Sequence, residues 1–478
     1  MEISTSEKIK TECGICAIIS NNTNNTNTNT NTNIHIDNYK NMVMGLESLQ
    51  HRGQESAGIC YISIRDDNDF HIDKNIGLVK NIFDIDKLDT SKIESNILLG
   101  HVRYSTSGSK KDILKDVQPL IGISPFGKFA IAHNGNIPHI NKNFQESDTH
   151  FIVELIENTK TTSWKDCLIE LHNTLKGAYC ITIITKDTMF CMRDQYGYKP
   201  LSIAKSSHGY MVSSETVTYS IIPEYELERE LNPGEILMIK NGEITMLYEN
   251  ANKNSQRCLF EYIYFMKDGS LFDGIMVDST REKFGEILAE KDSIIQNRIK
   301  DKSIAKSDIV VIGCPNTGIL GGKGYAKHLD LEYQQYIVKR KHMLRTFILP
   351  SDEERKKRCK EKYEIDERIK DKIVILVDDS IVRGNTMKTL ISVLFDYKCK
   401  EIHIRITAPP IRSPCYYGID IPTHRELIAN QKSIDEINEY VGATSLLYLD
   451  VNEMKKAVGE DKKVCTACFT GDYNEDLF

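Results

Sequence analysis

The chain has 478 residues, enough for two large domains or three of average size, each able to bury its own core. Its 40% hydrophobic and 27% charged content is that of an ordinary globular protein, and a formal charge of −7 argues against a nucleic-acid partner held mainly by net charge. No apolar run approaches the ~20 residues of a membrane span, MEISTSEKIK lacks the apolar centre of an export signal, and an odd thirteen cysteines suit a reducing compartment. These features point to the cytoplasm, without a membrane or nucleic-acid partner.

In chain order, a polar segment (1–12) precedes the apolar run Ile15, Ala17, Ile18, Ile19. An alternating Asn/Thr tract follows, Asn21 to Asn33, too polar to offset its ordering entropy, which predicts a disordered insert. Short β-like segments then dominate: 56–64, 96–102, 129–135, 178–185, 189–194, 209–214 and 235–247, with helical spacing at 41–50 and 149–160. That pattern predicts a layered α+β domain with two sheets. After the polar stretch Glu249–Gln256 the apolar strands 308–313, 372–378 and 401–407 alternate with helical stretches, as in a parallel α/β sheet. The domains are therefore expected at 13–255 and 256–478.

The sequence VILVDDSIVRGNTMKTL (374–390) runs from an apolar strand through two carboxylates and a Gly-containing turn into a helix. Asp378 and Asp379 at a strand's C-terminal end suit vicinal sugar hydroxyls, directly or through Mg²⁺. The turn Ser380–Thr386 offers N–H groups and hydroxyls to a phosphate at a helix N-terminus, Gly384 allows close approach, and Thr386 can cap the helix. The whole run resembles the 5-phosphoribosyl-1-diphosphate (PRPP) loop of type I phosphoribosyltransferases. The resemblance implies PRPP contacts from Asp378, Asp379, Ser380, Val382, Arg383, Gly384, Asn385 and Thr386.

Nearer the start, Cys13-Gly14-Ile15-Cys16 is joined by HRGQESAG (51–58), GHVRYSTSG (100–108), AHNGN (132–136), SDTHFI (147–152) and RDQYGYKPL (193–201). Together they resemble the glutaminase domain of N-terminal-nucleophile amidotransferases. With CLFEYIYF (258–265), RTFILP (345–350) and PPIRSPCYYGIDIPTHRELIA (409–429), the chain resembles the amidotransferases that join such a glutaminase to a phosphoribosyltransferase. That resemblance implies an αββα sandwich followed by an α/β type I phosphoribosyltransferase domain with a mostly parallel sheet.

It also implies that 1–12 is a propeptide whose removal exposes Cys13 as the nucleophile. An α-amine, with a pKa of about 7.7–8, then serves as base for its own thiol. Carried over, Arg103 holds the glutamine α-carboxylate, Asp148 its α-ammonium, Asn134 and the Gly135 N–H form an oxyanion hole, and Arg52 positions the nucleophile. In the second half the resemblance places Thr317, Asp378 and Asp379 at Mg²⁺, and Lys339 and Arg345 in a basic flap over PRPP. The chain departs from the family's usual residues at Asn316, Lys341 and Leu344.

The implied reaction is glutamine hydrolysis at Cys13 and displacement of diphosphate from C1 of PRPP by the ammonia, giving 5-phosphoribosylamine for purine synthesis. The family further implies purine nucleotides as feedback inhibitors and an allosteric homotetramer. Cys465-Thr466-Ala467-Cys468 by itself is compatible with half a zinc site, a redox pair or two buried thiols. An iron–sulfur-containing branch pairs this CxxC with cysteines at the positions of Cys258 and Cys415, and four thiolates suit a [4Fe–4S] cluster or tetrahedral zinc. Cys60, Cys180, Cys314 and Cys399 read as structural. Competing readings are a salvage transferase with a degenerate front half, a glucosamine-6-phosphate synthase, which would lack the VDDSIVRGNT loop, and a non-catalytic nucleotide sensor.

Overall fold

The computed structural model describes residues 13–21, 28–64, 68–85, 93, 95–104, 113–138, 147–250, 255–340, 356, 359–421, 423–459 and 463–474, with backbone only for 28–37. The segment 1–12, Arg345 and the flap residues 341–344 lie outside the described residues.

The first thirteen strands build two antiparallel sheets. They are β1 (Gly14–Ser20), β2 (Ser56–Ser63), β3 (Asp69–Ile76), β4 (Ile97–Arg103), β5 (Leu120–Ser124), β6 (Gly127–Asn136) and β7 (Ala178–Ile184). They continue with β8 (Thr188–Arg193), β9 (Ser202–Ser206), β10 (Gly209–Ser213), β11 (Glu226–Glu230), β12 (Ile236–Lys240) and β13 (Glu243–Tyr248). One sheet runs β11-β9-β10-β1-β4-β2-β3 and the other β13-β12-β8-β7-β6-β5. Between them lies a core to which β1 gives Ile15, Ala17 and Ile19, and the second sheet Ala130, Ala132, Cys180 and Leu237.

The odd positions of β1 thus face the other sheet, while Cys16 and Ile18 face the helix Thr28–Ser48 through Met42, Val43 and Leu46. Both faces are covered, which is why the apolar run 15–19 has no alternation and the strand is buried throughout. Helices Asp148–Glu157 and Trp164–Thr174 cover the second sheet with Ile152, Ile156, Leu168 and Leu171. The result is an αββα sandwich. Segment 235–247, read as one β-like segment, is a hairpin turning at Asn241-Gly242, both at positive φ, which a tight hairpin turn demands.

The helix begins at Thr28, within the Asn/Thr tract that the sequence reads as a disordered insert; residues 22–27 lie outside the described residues. A helix nucleated where Met42, Val43 and Leu46 pack extends N-terminally at low cost, since each added residue gains a hydrogen bond without a new nucleus.

In the second half β14 (Arg257–Cys258), the hairpin β15 (Leu271–Phe272) and β16 (Ile275–Met276), and β17 (Ile309–Gly313) come first. Then follow β18 (Ile337–Lys339), β19 (Tyr363–Ile365), β20 (Ile373–Asp378), β21 (Glu401–Ile406), β22 (Ser445–Tyr448) and β23 (Val464–Cys465). Strands β17-β20-β21-β22 form a parallel sheet. Its core joins Val310, Ile312, Val374, Leu376, Ile402 and Ile404 to Leu390 and Leu394 of the helix Asn385–Asp396. The sheet is α/β, as the alternation of strands and helices suggested. Among the described residues no helix is long and apolar enough to cross a membrane.

Candidate active sites

Cys13 directly precedes β1, whose first residue pairs with Val102 of β4, so the thiol lies beside the end of β4. Its Sγ is 4.0 Å from the Tyr104 carbonyl oxygen. Arg52 donates from Nε to the Cys13 carbonyl at 3.0 Å, gripping the main chain at Cys13. The rest of its guanidinium is committed to two glutamates: NH1 donates to Glu215 (2.7 Å) and Glu261 (3.0 Å), and NH2 to Glu261 (2.9 Å).

Arg52, Glu215 and Glu261 are all fully buried. Burial alone would raise the Glu215 carboxyl, but the neighbouring His51 and Arg52 hold it far below the usual carboxylate range. The motif reading missed both acids. Glu261 stands inside the quoted CLFEYIYF run, but nothing local marks its charge as a partner for Arg52.

Arg103 closes β4 and is buried, with NH2 3.4 Å from Asp116 and NH1 3.8 Å from Glu55, too far for NH1 to hydrogen-bond. Two residues earlier, His101 Nε2 lies 3.2 Å from the His133 carbonyl, joining the two sheets beside Asn134. Burial pushes His101 down to about 3, so it stays neutral. The Asn134 side chain is 1% exposed and its Nδ2 has no hydrogen-bond partner, a buried donor that awaits an acceptor. Gly135 (φ +155°) must be glycine, because a Cβ would stand 2.0 Å from the Ala178 carbonyl oxygen.

Asp148 is the first residue of the helix Asp148–Glu157 and half-buried, with Oδ1 3.7 Å from His133 Nδ1. Burial raises its carboxyl, but His133 and the N–H groups of Thr149 and Ile137 outweigh that and lower it overall. It therefore remains a carboxylate, favoured further by the helix N-terminus.

In the other half, Asp378 ends the central strand β20, and the turn leads through Gly384 (φ +81°) into the helix Asn385–Asp396. A cavity there is lined by Asp378, Asp379, Ser380, Val382, Gly384 and Thr386, with Tyr264 and Cys314 also on its wall. Asp379 accepts from the Thr317 hydroxyl and from Ser380 Oγ (2.6 Å). Cys314, which the sequence assigned a structural part, is buried and also faces this cavity.

Not every loop residue points there. Arg383 donates to Glu426 (2.5 Å), and Asn385 Oδ1 accepts from Tyr440 (2.5 Å). Lys339 is exposed at the end of β18, paired with the cavity residue Tyr363 of β19.

The four cysteines come together from three places. Cys258 and Cys465 are partners across β14 and β23, and Cys468 lies three residues further on. Burial pushes the Cys468 thiol far up, with Cys415, Cys258 and Cys465 adding to the rise. Burial likewise pushes Cys465 up to about 12, with a smaller push from Cys415. All four are free thiols, and among the described residues no three His, Cys, Asp or Glu side chains are gathered tightly enough to hold a metal ion. The Cys415 segment also touches the first site: Asn136 Nδ2 donates to the Tyr416 carbonyl (2.8 Å), and a Cβ on Gly418 would stand 3.2 Å from the Gly135 carbonyl carbon.

Comparison with known proteins agrees with both halves. A glutamine amidotransferase domain family matches residues 101–219 and a phosphoribosyl transferase domain family residues 282–420. The chain is 35% identical over 481 residues to amidophosphoribosyltransferase 2, chloroplastic, of Arabidopsis thaliana, covering 98% of this chain and 80% of that one. It is also 35% identical over 452 residues to the amidophosphoribosyltransferase of Bacillus subtilis, covering 91% of each.

Two solved structures resemble it throughout. One, described as the allosteric regulatory enzyme of purine biosynthesis, has TM-score 0.84 at 33% identity, covering 98% of this chain and 97% of that one. The other is glutamine PRPP amidotransferase from B. subtilis complexed with ADP and GMP, with TM-score 0.83 at 32% identity, covering 98% of both.

Proposed function

The chain belongs to the amidophosphoribosyltransferase family, and we infer from that premise how its residues divide the work. The protein catalyses the first step of purine biosynthesis, using glutamine and PRPP.

In our reading, removal of residues 1–12 frees the α-amine of Cys13, which takes the thiol proton. The thiolate attacks the glutamine amide carbon, and the C–N bond then breaks to leave a thioester and ammonia. Water hydrolyses the thioester to glutamate. The observation that carries this half is the buried, unpartnered Asn134 Nδ2, which with the Gly135 N–H would receive the oxyanion. Arg103 would take the substrate carboxylate and Asp148 its ammonium, while Arg52 holds Cys13 by its carbonyl.

Ammonia then attacks C1 of PRPP, the C1–oxygen bond to diphosphate breaks, and the nitrogen sheds a proton. The cavity at β20 would bind PRPP through Asp378, Asp379, Ser380, Val382, Gly384 and Thr386. Arg383, Asn385, Lys339 and Arg345 would complete its binding as substrate displaces their present partners or the flap closes. The oxygens of Asp378, Asp379 and Thr317 are a hard donor set fitted to Mg²⁺, which when bound would neutralise the leaving diphosphate. Two departures, Lys341 and Leu344, would act on flap closure and Asn316 on the metal's surroundings.

Cys258, Cys415, Cys465 and Cys468 would hold a [4Fe–4S] cluster, with zinc as the other candidate. Burial makes Cys465 and Cys468 costly to ionise without a cation, and Cys258 and Cys415 lie near enough to Cys468 to add to that cost, so such a group would supply the compensating charge. Bound there, it would make them thiolates and tie three distant segments. Purine nucleotides as inhibitors, a homotetramer and a cytoplasmic location complete the proposal. The decisive assay is PRPP consumption with glutamine against ammonia. Cys13→Ala should lose the first and keep most of the second, and equal loss of both would overturn the separation of the two sites.

A further inference from the structure

The two halves of the proposed glutamine site sit on different elements. Strand β6 carries Asn134 and Gly135, and the helix Asp148–Glu157 carries Asp148 at its first residue. Beneath both lies Gln118, 6% exposed, just ahead of β5. The β5–β6 ladder ends at Leu120 with Ile131, so the N–H of His133 extends past it. Gln118 supplies the missing acceptor: its Oε1 takes the His133 N–H at 2.6 Å. Its Nε2 donates to Thr149 Oγ1 at 3.0 Å. Thr149 Oγ1 is also 3.3 Å from His133 Nδ1, and both residues are at most 2% exposed. One amide thus ties the residue before Asn134 to the residue after Asp148.

We propose that Gln118 is a positioning residue for glutamine hydrolysis, setting the oxyanion donors and the ammonium-binding carboxylate at a fixed separation through His133 and Thr149. It touches no substrate. The inference rests on the assignment of Asn134, Gly135 and Asp148 to the glutamine site. A tetrahedral intermediate must meet both ends at once, because its α-ammonium is anchored at Asp148 while its oxyanion sits at Asn134. A shift of either support by about 1 Å is enough to cost on the order of 100-fold in rate.

The test compares Gln118→Met, which keeps length and loses both hydrogen bonds, with Gln118→Glu and Thr149→Val. In Gln118→Met, glutamine-dependent kcat/KM should fall about 100-fold, with kcat down and the glutamine KM up. Ammonia-dependent turnover and the PRPP KM should stay within about twofold of the parent. Gln118→Glu should recover relative to the parent as pH falls from about 8 to 6, because a protonated carboxyl again accepts from His133 N–H and donates to Thr149. A merely structural role predicts no such recovery.

Thr149→Val combined with Gln118→Met should cost no more than Gln118→Met alone. Asn134→Ala is the reference: if it keeps full glutamine turnover, the site assignment itself falls. If it loses turnover while Gln118→Met stays within about twofold, the role of Gln118 is overturned. Equal loss of glutamine and ammonia activity in all three variants would also overturn it, leaving Gln118 a determinant of folding.

Discussion

Arg52 and Glu261 meet in a two-point ion pair, NH2 to Oε1 at 2.9 Å and NH1 to Oε2 at 3.0 Å, with neither side chain exposed. They lie 209 positions apart in the chain, on opposite sides of the change from two-sheet sandwich to parallel sheet. The same guanidinium holds the Cys13 carbonyl, and three residues after Glu261 the ring of Tyr264 borders the cavity at β20. One buried arginine therefore links Cys13 to the segment that borders the cavity at β20.

Glu261→Gln keeps the shape and removes the charge. Breaking one partner of a buried pair costs roughly 3 kcal/mol, here moderated because Glu215 still faces Arg52. A lower Tm and a glutamine-dependent turnover that falls more than the ammonia-dependent one are expected. Calorimetry and the two assays on the same preparation check it, and an unchanged Tm would make the pair dispensable.

The pH dependence of stability should carry the mark of Glu215. Its folded carboxyl is held below its unfolded value by His51 and Arg52, against the opposing effect of burial. Its stabilisation is therefore complete above the unfolded pKa of about 4.3 and fades as pH falls further. Glu215→Gln should lower Tm most near neutrality, and the gap to the parent should narrow below about pH 4. A gap that widens in acid would reverse the sign of this argument.

Loss of Asn134's amide should be felt only in glutamine chemistry. Asn134→Ala is expected to reduce glutamine-dependent kcat by about 10²–10³-fold, the range for one oxyanion-hole donor, with ammonia-dependent turnover preserved. Steady-state kinetics with each nitrogen source checks it.

Asp379→Asn should do the converse. Asp379 already accepts from the Thr317 and Ser380 hydroxyls, so the amide fits sterically but supplies no charge for a metal or a sugar hydroxyl. A fall of about 100-fold in PRPP use from either nitrogen source is expected. Glutamine hydrolysis measured as glutamate release should be affected less.

Cys468→Ser tests the four-thiol site. Protein purified without oxygen should carry about four iron and four sulfide per chain, and the variant far less, with a lower Tm. Stoichiometric zinc would keep the site and change its occupant.

By itself the sequence determined the local architecture. Short apolar, β-like runs marked β2, β4, β6, β7, β8 and β10, which are buried on both faces, and the strand–carboxylate–turn–helix order of 374–390 appears in space as it reads in the chain. Such features depend on neighbours a few residues apart, which side-chain alternation and backbone preference report directly. The charged edge strand β11 (ELERE) and the four-residue β22 left no such signal, since neither buries a long alternating face. The start of the first helix at Thr28 was hidden for a related reason, because packing twelve or more residues further on supports it.

Only the tertiary structure decided which charges meet. A buried arginine must find counter-charges, but nothing near Arg52 says that they come from Glu215 and Glu261, 163 and 209 positions away. The same holds for Gln118, an ordinary amide in the sequence, whose two hydrogen bonds exist only because the C-terminal part of β6 and the start of the helix Asp148–Glu157 lie side by side. Chain topology brings these groups together, and topology is a property of the packed sheets rather than of any short run of residues.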